Sequence, residues 1–347
     1  MFENSKFIIN KSKLIKNLNA LKTNNICAMV KADAYGHGLK NISLILKDKV
    51  KFFGVASLDE AMLIRQSGIK TPVLVVGICN DIAVVLKNDI SITIDNRNQF
   101  FDILKRMDNT DKKLKIHIKI NSGMNRLGIN NIDEFKNILK ALNKSKNIIF
   151  EGVFTHFATA GNDIAYFNNQ LKIFNEFLKI IPVLYNPIKH LGGGDVLDVI
   201  NIEDYKDFMF RVGLKLFVSP HSILKIESKI IKILDLPKGS RVGYSNGYIC
   251  EKNIKIAVVP LGYADGINRK LANKGYVKIK NKKCQIVGNV CMDMFFADVT
   301  NINCEIGDKV IVFENSKNWA KICDTIPYEI LTNFKYSRMK YEIIQFN

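Results

Sequence analysis

The chain has 347 residues, 47% of them hydrophobic, which is enough for one large core or two domains. Its formal net charge is +18, but lysines far outnumber arginines and are spread along the chain, so the charge favours attraction of small anions over a nucleic-acid-binding surface. The seven cysteines include no C-x-x-C pair, which argues against a zinc site or a disulfide framework. No signal peptide or membrane-length apolar run is visible, so we expect a cytoplasmic protein with reduced thiols, bound to neither membrane nor nucleic acid.

Strand-like and helix-like stretches alternate along the first two thirds of the chain. The strand-like runs are residues 26–30, 53–56, 73–76, 92–94, 116–120, 148–154 and 208–212, and the stretches of helical length include 58–68, 97–107, 132–142 and 163–180. This alternation is typical of parallel βα units, eight of which close into a TIM-like barrel. A doubly wound open sheet would alternate too, but no G-x-G-x-x-G segment follows an early strand.

The pattern changes after about residue 230, where helical periodicity nearly vanishes. Short strand-like segments follow at 230–234, 254–259, 276–279, 283–287, 295–299, 309–312 and 341–346, with turn signals between them. The sequence therefore predicts an α/β fold in two domains. An N-terminal (β/α)8 barrel covers residues 10–230, and a mostly β C-terminal domain covers residues 231–347 together with the strand-like residues 1–9.

A lysine at the end of a buried strand is the first candidate for chemistry. Lys31 follows the apolar run at 26–30 and precedes small residues and a Gly-His-Gly turn. Such a lysine either reaches water along its aliphatic stem or is an amine poised to form a Schiff base with a carbonyl or with pyridoxal phosphate (PLP). The small residues around it leave room for a ligand, which weakens the first interpretation.

Polar residues also stand at the ends of other predicted strands. They are the segment 121–126, His156 and Arg211. Barrel enzymes place their chemistry at the carboxyl ends of the strands. These residues, together with Lys31, therefore predict a single site at the barrel mouth.

The strand at 116–120 carries two basic residues on one face. Side chains alternate along a strand, so His117 and Lys119 point the same way, which argues against a dry core there. His117 alone is typical of a satisfied core histidine. Arg126, after the following turn, offers a planar fork for an oxyanion, although an arginine in such a place is usually a surface residue.

Seven segments, in order along the chain, resemble motifs of the alanine racemase family. They are K-A-D-A-Y-G-H-G at 31–38, H-I-K-I-N-S-G-M-N-R-L-G at 117–128, T-H-F-A-T-A at 155–160, R-V-G-L at 211–214, G-Y-A-D-G at 262–266, G-N-V-C-M-D at 288–293 and Y-E-I-L-T at 328–332. The resemblance implies a homodimeric barrel enzyme that interconverts L-alanine and D-alanine with PLP as cofactor, supplying D-alanine for peptidoglycan. It implies no metal site.

Two catalytic bases follow from this resemblance. Lys31 would hold PLP as an aldimine and exchange a proton at one face of the α-carbon, and Tyr263 of the partner subunit would serve the other face. Racemisation requires both faces. A phenol with a pKa near ~10 needs neighbouring positive charge to act as a base at neutral pH.

The resemblance also implies the surroundings of the cofactor and substrate. Arg126 would contact the phenolic oxygen of PLP, and Lys119, often carbamylated in the family, would hold Arg126. The other implied contacts are His156 near the ring, Arg211 at the pyridine nitrogen, Gly213, Leu214 and Tyr336 at the phosphate, Tyr35 at the phosphate or the entrance of the site, and Arg126 and Met292 at the substrate carboxylate.

Arg211 distinguishes a racemase from one of the alternative functions that a barrel of this type could have. A guanidinium keeps its proton, so it disfavours a protonated pyridine nitrogen and leaves the PLP ring a weaker electron sink, which suits a racemase. PLP-dependent amino-acid decarboxylases of the same barrel type place an acid there.

A non-catalytic PLP-carrier protein has the barrel alone, whereas this chain has a second domain with Tyr263. A racemase of broader amino-acid range stays open.

Some positions depart from the family's motifs. H-L-G-G-G-D at 190–195 stands where the family has H-x-x-N-S, whose serine contacts the phosphate. The amides of Gly193 and Gly194 would hold the phosphate there, or the segment is a tight turn. PLP decarboxylases also carry a Gly-Gly-Gly phosphate loop. Asn121 replaces an aspartate, Asn289 replaces an arginine, and S-R-M-K at 337–340 replaces R-V-P-R, which weakens the role given to Tyr336.

Overall fold

The computed structural model describes residues 4–108, 110–193 and 195–345, and the chain divides into two compact units. The barrel unit comprises Leu21–Ala34 and Gly38–Gly213. The β unit comprises Met1–Ala20, Tyr35–His37 and Leu214–Asn347.

Both units are built from short strands. In chain order these are β1 (Lys6–Asn10), β2 (Ile26–Met29), β3 (Phe52–Val55), β4 (Val73–Val75), β5 (Ser91–Ile94), β6 (Leu114–Lys119), β7 (Ile148–Phe154), β8 (Ile188–Gly192), β9 (Met209–Val212), β10 (Leu224–Lys229), β11 (Lys232–Leu236), β12 (Arg241–Val242), β13 (Tyr248–Ile249), β14 (Ile254–Val259), β15 (Tyr276–Ile279), β16 (Lys282–Val287), β17 (Phe295–Asp298), β18 (Lys309–Phe313) and β19 (Lys340–Ile344). The helices are α1 (Lys11–Asn19), α2 (Lys31–Gly36), α3 (Leu39–Leu46), α4 (Leu58–Gln66), α5 (Ile82–Lys87), α6 (Arg97–Met107), α7 (Ile132–Leu142), α8 (Ile164–Lys179), α9 (Val196–Val199), α10 (Leu214–Val218), α11 (Ser316–Cys323) and α12 (Pro327–Thr332).

Strands β2 to β9 form a closed, parallel eight-stranded barrel in chain order, which confirms the predicted fold class. The barrel closes where β9 pairs with β2, with Cys27 opposite Arg211. Seven of its strands lie where the apolar runs predict them. β8 was not predicted, because the basic pair Lys189-His190 and the glycines after it interrupt its apolar pattern.

Most positions of the barrel strands are apolar because both of their faces are covered. β2, β3 and β5 are buried throughout, as expected for parallel strands packed inside and outside. The helices between them begin at polar caps. Asn96 and Asn131, for example, accept hydrogen bonds from the first amides of α6 and α7.

The β unit contains a nine-stranded sheet with the order β11-β14-β17-β16-β15-β18-β10-β1-β19. β1 pairs antiparallel with β10 and parallel with β19, so the beginning and the end of the chain meet in one sheet. Two helices, α11 and α12, interrupt the strands near the end of the chain, although little helical periodicity was expected there.

Among the residues that the structure describes, no helix combines the length and the apolar character needed to cross a membrane.

Candidate active site

The barrel gathers the predicted polar residues at the carboxyl ends of its strands. Lys31 follows β2, and Arg211 lies near the end of the neighbouring strand β9. On the other side of the barrel, Lys119 ends β6 opposite Phe154, the last residue of β7, and His156 follows two residues later. Parallel strands bring their carboxyl ends to one rim, so these side chains share one mouth.

Positive charges dominate this mouth. Burial lowers the pKa of Lys31, and the charges of Arg126 and Arg211 lower it further, while Glu60 acts in the opposite direction. Burial followed by the same two arginines lowers the pKa of Lys119 to about 8. Groups that shift each other's pKa in this way lie close together, and their combined field attracts an anion.

The same positive charges act on His156. Its pKa falls to about 3, first through burial and then through the charges of Arg211, Arg126, Lys119 and Lys31. The imidazole is therefore neutral at physiological pH. The structure thus brings together five of the residues that the sequence analysis selected.

The backbone after Lys31 takes a left-handed turn. Residues Ala32 to Tyr35 all have φ between 51° and 55°, a conformation that costs roughly 1–2 kcal/mol per non-glycine residue. Two carboxylates support the turn. Glu60 accepts hydrogen bonds from the amides of Ala32 (2.6 Å) and Ala56 (2.7 Å), and Asp33 accepts one from the amide of Leu39 (2.6 Å). The segment next to Lys31 is therefore held in a strained shape, as is common at functional sites.

Arg211 is fixed inside the barrel rather than extended into solvent. Its side chain is 7% exposed, and its guanidinium lies 4.5 Å above the ring of Phe154. Nη1 donates hydrogen bonds to Nδ1 and to the carbonyl oxygen of His190, and Nη2 donates to the carbonyl oxygen of Thr155. A Cβ at Gly192 would lie 2.4 Å from Nη2, so the glycine leaves the space that the guanidinium needs. Burial lowers the pKa of Arg211 to about 10, which still keeps it charged at neutral pH.

Sequence reasoning missed the polar residues beneath Arg211. His190 was noticed only as the start of the glycine segment, His117 resembled a core histidine, and Glu151 was not considered. The structure joins them in one hydrogen-bonded chain, with 2.8 Å between the two histidines and 2.9 Å from His117 to Glu151. The available signal was the single acid in the strand I-I-F-E-G-V-F, because a carboxylate in such a strand requires a partner.

Some of the predicted barrel residues lie in loops. Arg126 is exposed in the loop after β6, whose shape is maintained by Asn121, since its Oδ1 accepts hydrogen bonds from the amides of Gly123 and Asn125. Asparagine therefore supplies the acceptor that the family's aspartate would supply. Gly213 is half-buried after β9. Gly194, assigned to the phosphate, lies outside the described residues.

Three residues assigned to the phosphate belong to the β unit. Leu214 begins α10. Tyr35 is buried, and its ring lies 5.3 Å from that of Phe217. Tyr336 is half-buried, with its ring centroid 5.4 Å from that of Phe7.

Tyr263 and Met292 lie on two adjoining loops of the β unit. The amide of Tyr263 donates to the carbonyl oxygen of Cys291 at 3.0 Å, and the amide of Ala264 donates to that of Met292 at 3.0 Å. A Cβ at Gly262 would lie 2.2 Å from the Met292 carbonyl oxygen, so only glycine permits this approach. Both side chains face solvent in the single chain, Tyr263 with 44% and Met292 with 53% exposure.

An arginine joins the same two loops by ion pairs. Arg338 contacts Asp265 at 3.2 Å through Nε and Asp293 at 2.6 Å through Nη2. Asp265 also accepts a hydrogen bond from the amide of Gly262 at 2.8 Å. Burial raises the pKa of Asp265, and the hydrogen bond to Asp293 raises the pKa of Arg338. The loops that carry Tyr263 and Met292 therefore form one braced element.

Comparison with known proteins covers nearly the whole chain. Residues 9–220 match the model of the alanine racemase N-terminal domain, and residues 223–342 match that of the alanine racemase C-terminal domain. Alanine racemase 1 of Caldanaerobacter subterraneus subsp. tengcongensis is 30% identical over 338 residues, which cover 90% of this chain and 86% of the relative.

Solved structures agree. Alanine racemase from Clostridium difficile 630 superposes with a TM-score of 0.89 at 30% identity, covering 99% of this chain and 98% of the other. Alanine racemase from Bacillus anthracis, solved with bound L-Ala-P, gives a TM-score of 0.88 at 29% identity and covers 99% and 95% of the two chains. These matches confirm the resemblance found in the sequence, and the chain belongs to the alanine racemase family.

Proposed function

We propose that this protein is a PLP-dependent isomerase that interconverts L-alanine and D-alanine, with Lys31 and Tyr263 as its two bases. One observation carries the proposal. The barrel mouth places a partly buried amine, Lys31, in the field of Arg126 and Arg211, where an anionic cofactor with a reactive carbonyl would be held. The D-alanine formed would serve peptidoglycan synthesis.

The residues at the mouth suit PLP, the cofactor of this family. A lowered pKa leaves more of Lys31 as the neutral amine that attacks an aldehyde. Arg126, with Lys119 behind it, would hold the phenolic oxygen, while Arg211 would face the pyridine nitrogen. The family resemblance assigns the phosphate to the amides of Gly213 and Leu214 and to the hydroxyls of Tyr35 and Tyr336. His156, with its lowered pKa, would lie against the ring as a neutral imidazole.

When bound, PLP supplies an electron-withdrawing ring that makes the α-proton of an amino acid removable. The amine of Lys31 exchanges that proton at one face of the α-carbon, and the partner subunit's Tyr263 exchanges it at the other. Arg211 keeps its own proton at neutral pH, so it would donate a hydrogen bond to the pyridine nitrogen of bound PLP and would leave that nitrogen unprotonated. Arg126 and Met292 orient the substrate carboxylate.

The second base requires a homodimer. Tyr263 and Met292 both present large exposed fractions on adjoining loops of the β unit, which suits side chains that complete a site in another copy. In this arrangement the barrel unit of each chain supplies Lys31, and the C-terminal domain of its partner supplies Tyr263. A cytoplasmic location accords with seven cysteines that are all free thiols.

Lys119 is a candidate for carbamylation, a reaction that requires a neutral amine. With a pKa of about 8, roughly a tenth of Lys119 is neutral at pH 7, against about one part in 3,000 for an ordinary lysine. A carbamate would turn this positive group into an anion that pairs with Arg126. Mass spectrometry of intact protein kept under carbon dioxide should show the added group, and Lys119→Ala should abolish it.

The cofactor is tested by trapping. Protein incubated with PLP should absorb as a lysine-linked species, and borohydride should fix the label on the peptide that contains Lys31. Lys31→Ala should remove the label, while Lys40→Ala, at an exposed lysine nearby, should keep it. Label on another lysine in the wild-type protein would contradict the cofactor assignment.

The reaction is tested with L-alanine in heavy water. The racemase should exchange the α-proton for deuterium and form D-alanine, as read by chiral chromatography. Release of carbon dioxide would indicate the decarboxylase, and bound PLP without exchange would indicate the carrier protein. The same assay across several amino acids would separate an alanine racemase from a broad-range one.

A further inference from the structure

A chain of hydrogen bonds runs from Arg211 through the interior of the barrel to a single carboxylate. Nη1 of Arg211 lies 3.0 Å from Nδ1 of His190, whose Nε2 lies 2.8 Å from Nδ1 of His117. Nε2 of His117 lies 2.9 Å from Oε2 of Glu151, which also accepts a hydrogen bond from the hydroxyl of Ser91. Four strands, β9, β8, β6 and β7, each contribute one member of the Arg-His-His-Glu chain.

The position of every proton in this chain follows from its first member. A guanidinium only donates, so Nδ1 of His190 must accept and its Nε2 must carry the proton. His117 must then accept at Nδ1 and donate from Nε2 to the carboxylate of Glu151. Burial lowers the pKa of both histidines, which keeps both rings neutral. Each hydrogen bond therefore points from the cation towards the anion, and bonds aligned in this way strengthen one another.

The backbone is built to admit this chain. Ile116 pairs with Phe150 and His117 with Gly152, so Glu151 is the extra residue of a β-bulge in β7. Bulges redirect a side chain, and this one brings Glu151 to His117 on the adjacent strand. A Cβ at Gly152 would lie 2.1 Å from Nδ1 of His117. The bulge and the absence of side chains at Gly152 and Gly192 together leave the space that the Arg-His-His-Glu chain occupies.

Arg211 is a buried cation, and among the described residues no carboxylate contacts it directly. Its neighbour Cys27 has a pKa raised to about 12 by burial and stays neutral. Burial raises the pKa of Glu151, but the interaction with His117, the hydrogen bond from Ser91 and the charge of Lys115 together outweigh burial and lower that pKa, which favours the ionised carboxylate. A buried charge without compensation costs several kcal/mol, so the anion at the far end of the chain offsets part of this cost.

We propose that Glu151 is a positioning residue for Arg211. Acting through His117 and His190, it holds the guanidinium in the orientation in which its remaining donors face the cofactor's pyridine nitrogen. The role of Arg211 at that nitrogen rests on the proposed function, whereas the proton order of the Arg-His-His-Glu chain does not.

The chain itself is tested without cofactor or activity. The sequence has five histidines, so protein labelled with ¹⁵N-histidine gives a spectrum simple enough to assign. Between about pH 7 and pH 8, His117 and His190 should both be neutral with the proton on Nε2. The Hε2 proton of His117 should resonate far downfield and return towards the ordinary position in Glu151→Gln. A cationic ring, or a proton on Nδ1 of either histidine, would overturn the proposal.

The positioning role is tested in the loaded enzyme. Glu151→Gln keeps the shape and an acceptor oxygen but removes the charge, and kcat should fall about tenfold with KM changed less than about twofold, corresponding to an interaction made mainly in the transition state. Glu151→Asp, which keeps the charge, should retain more of kcat. Glu176→Gln, at an exposed acid on α8, should change nothing.

A double-mutant cycle separates positioning from general weakening of the fold. In an Arg211→Lys background, Glu151→Gln should cause no further loss of kcat, because the group that it orients has been replaced. An equal loss in both backgrounds, or an unchanged kcat in Glu151→Gln alone, would contradict the proposal. If the wild-type protein does not racemise alanine, the proposed function is wrong. The NMR experiment still tests the proton order of the Arg-His-His-Glu chain, because it needs neither cofactor nor activity.

Discussion

At the residue scale, the mouth of the barrel is defined by charge. Lys31, Lys119, Arg126 and Arg211 are cationic groups in one rim, and burial followed by the charges of the two arginines lowers the pKa of both lysines. The arrangement is unfavourable until an anion binds. Binding of a phosphorylated cofactor should therefore raise the free energy of unfolding, because its negative charge offsets the repulsion among all four cationic groups.

The reactivity of Lys31 should depend on its charged neighbours in opposite directions. Arg126 lowers its pKa and Glu60 raises it, so Arg126→Gln should move the pH midpoint of cofactor capture upwards and Glu60→Gln should move it downwards. The measurement is the initial rate of PLP attachment to cofactor-free protein as a function of pH. Shifts of the same sign in both variants would show that the charges do not act as inferred.

His156 should make the cofactor-free protein sensitive to acid. Its pKa is about 3 in the folded chain and about 6.5 when unfolded, so between these values only the unfolded chain binds the proton. The free energy of unfolding should therefore decrease as pH falls below about 6.5, by at most ~1.4 kcal/mol per pH unit from this group, and by less because the ring is partly exposed.

Urea unfolding at several pH values measures this slope. His156→Gln should make the slope shallower between pH 7 and pH 5, because the proton uptake of one group is lost. His221→Gln, at an exposed histidine, is the matched control. His117 and His190 have lowered pKa values too and contribute in the same direction, so part of the slope should remain.

At the element scale, the braced loops of the β unit determine where Tyr263 stands. Backbone hydrogen bonds join the Tyr263 loop to the Met292 loop, and Arg338 connects Asp265 of the first loop with Asp293 of the second. Asp265 is 3% exposed, so its carboxylate is more shielded from solvent than a surface acid, while its partner Arg338 stays partly exposed. These contacts give the exposed Tyr263 a defined position in the single chain, before a partner subunit binds.

Arg338→Met should therefore impair the step that uses Tyr263. We expect kcat to fall about tenfold or more, and the primary isotope effect with α-deuterated alanine to rise for one enantiomer only, because each base serves one face. Arg338→Lys should restore part of the activity. Arg269→Met, a charge change elsewhere in the β unit, should leave the isotope effects alone. An equal rise for both enantiomers would show that Arg338 supports the fold in general.

At the scale of the whole molecule, the decisive question is whether one chain contains a complete site. The barrel supplies Lys31 and the cationic residues of the mouth, while Tyr263, the proposed second base, belongs to the C-terminal domain. If the partner subunit's Tyr263 completes each site, activity depends on assembly, and dilution below the dissociation constant of the dimer should abolish turnover.

Mixed dimers provide a direct test. Lys31→Ala and Tyr263→Phe should each be inactive alone, with the second still binding PLP. A mixture refolded or exchanged between the two should regain activity, because one of the two sites in each mixed dimer pairs an intact Lys31 with an intact Tyr263. Chiral analysis of the product after mixing measures the recovery. No recovery in mixtures shown by mass to contain mixed dimers would place both bases in the same chain.

Much of this protein could be predicted from local sequence. Helices α6 and α7 begin and end where the periodicity places them, and seven barrel strands coincide with apolar runs, because burial on both faces and helical amphipathicity leave a direct pattern in the chain. The one barrel strand that was not predicted, β8, carries His190 and a glycine at its interior positions. Its polar content reflects the interior hydrogen bonds and not an exposed loop.

The sequence by itself determined the alternation of strands and helices, the change to β structure after residue 230, and the motifs around Lys31, Arg126, Arg211 and Tyr263 that led to the family. Only the tertiary structure decided that β9 closes on β2, that a bulge turns Glu151 towards His117, and that Arg338 links two loops that are separate in the sequence. The reason is physical. Periodicity records which face of a segment is buried, whereas a hydrogen bond between residues 21 to 73 positions apart depends on strand register and barrel closure, which no local pattern encodes.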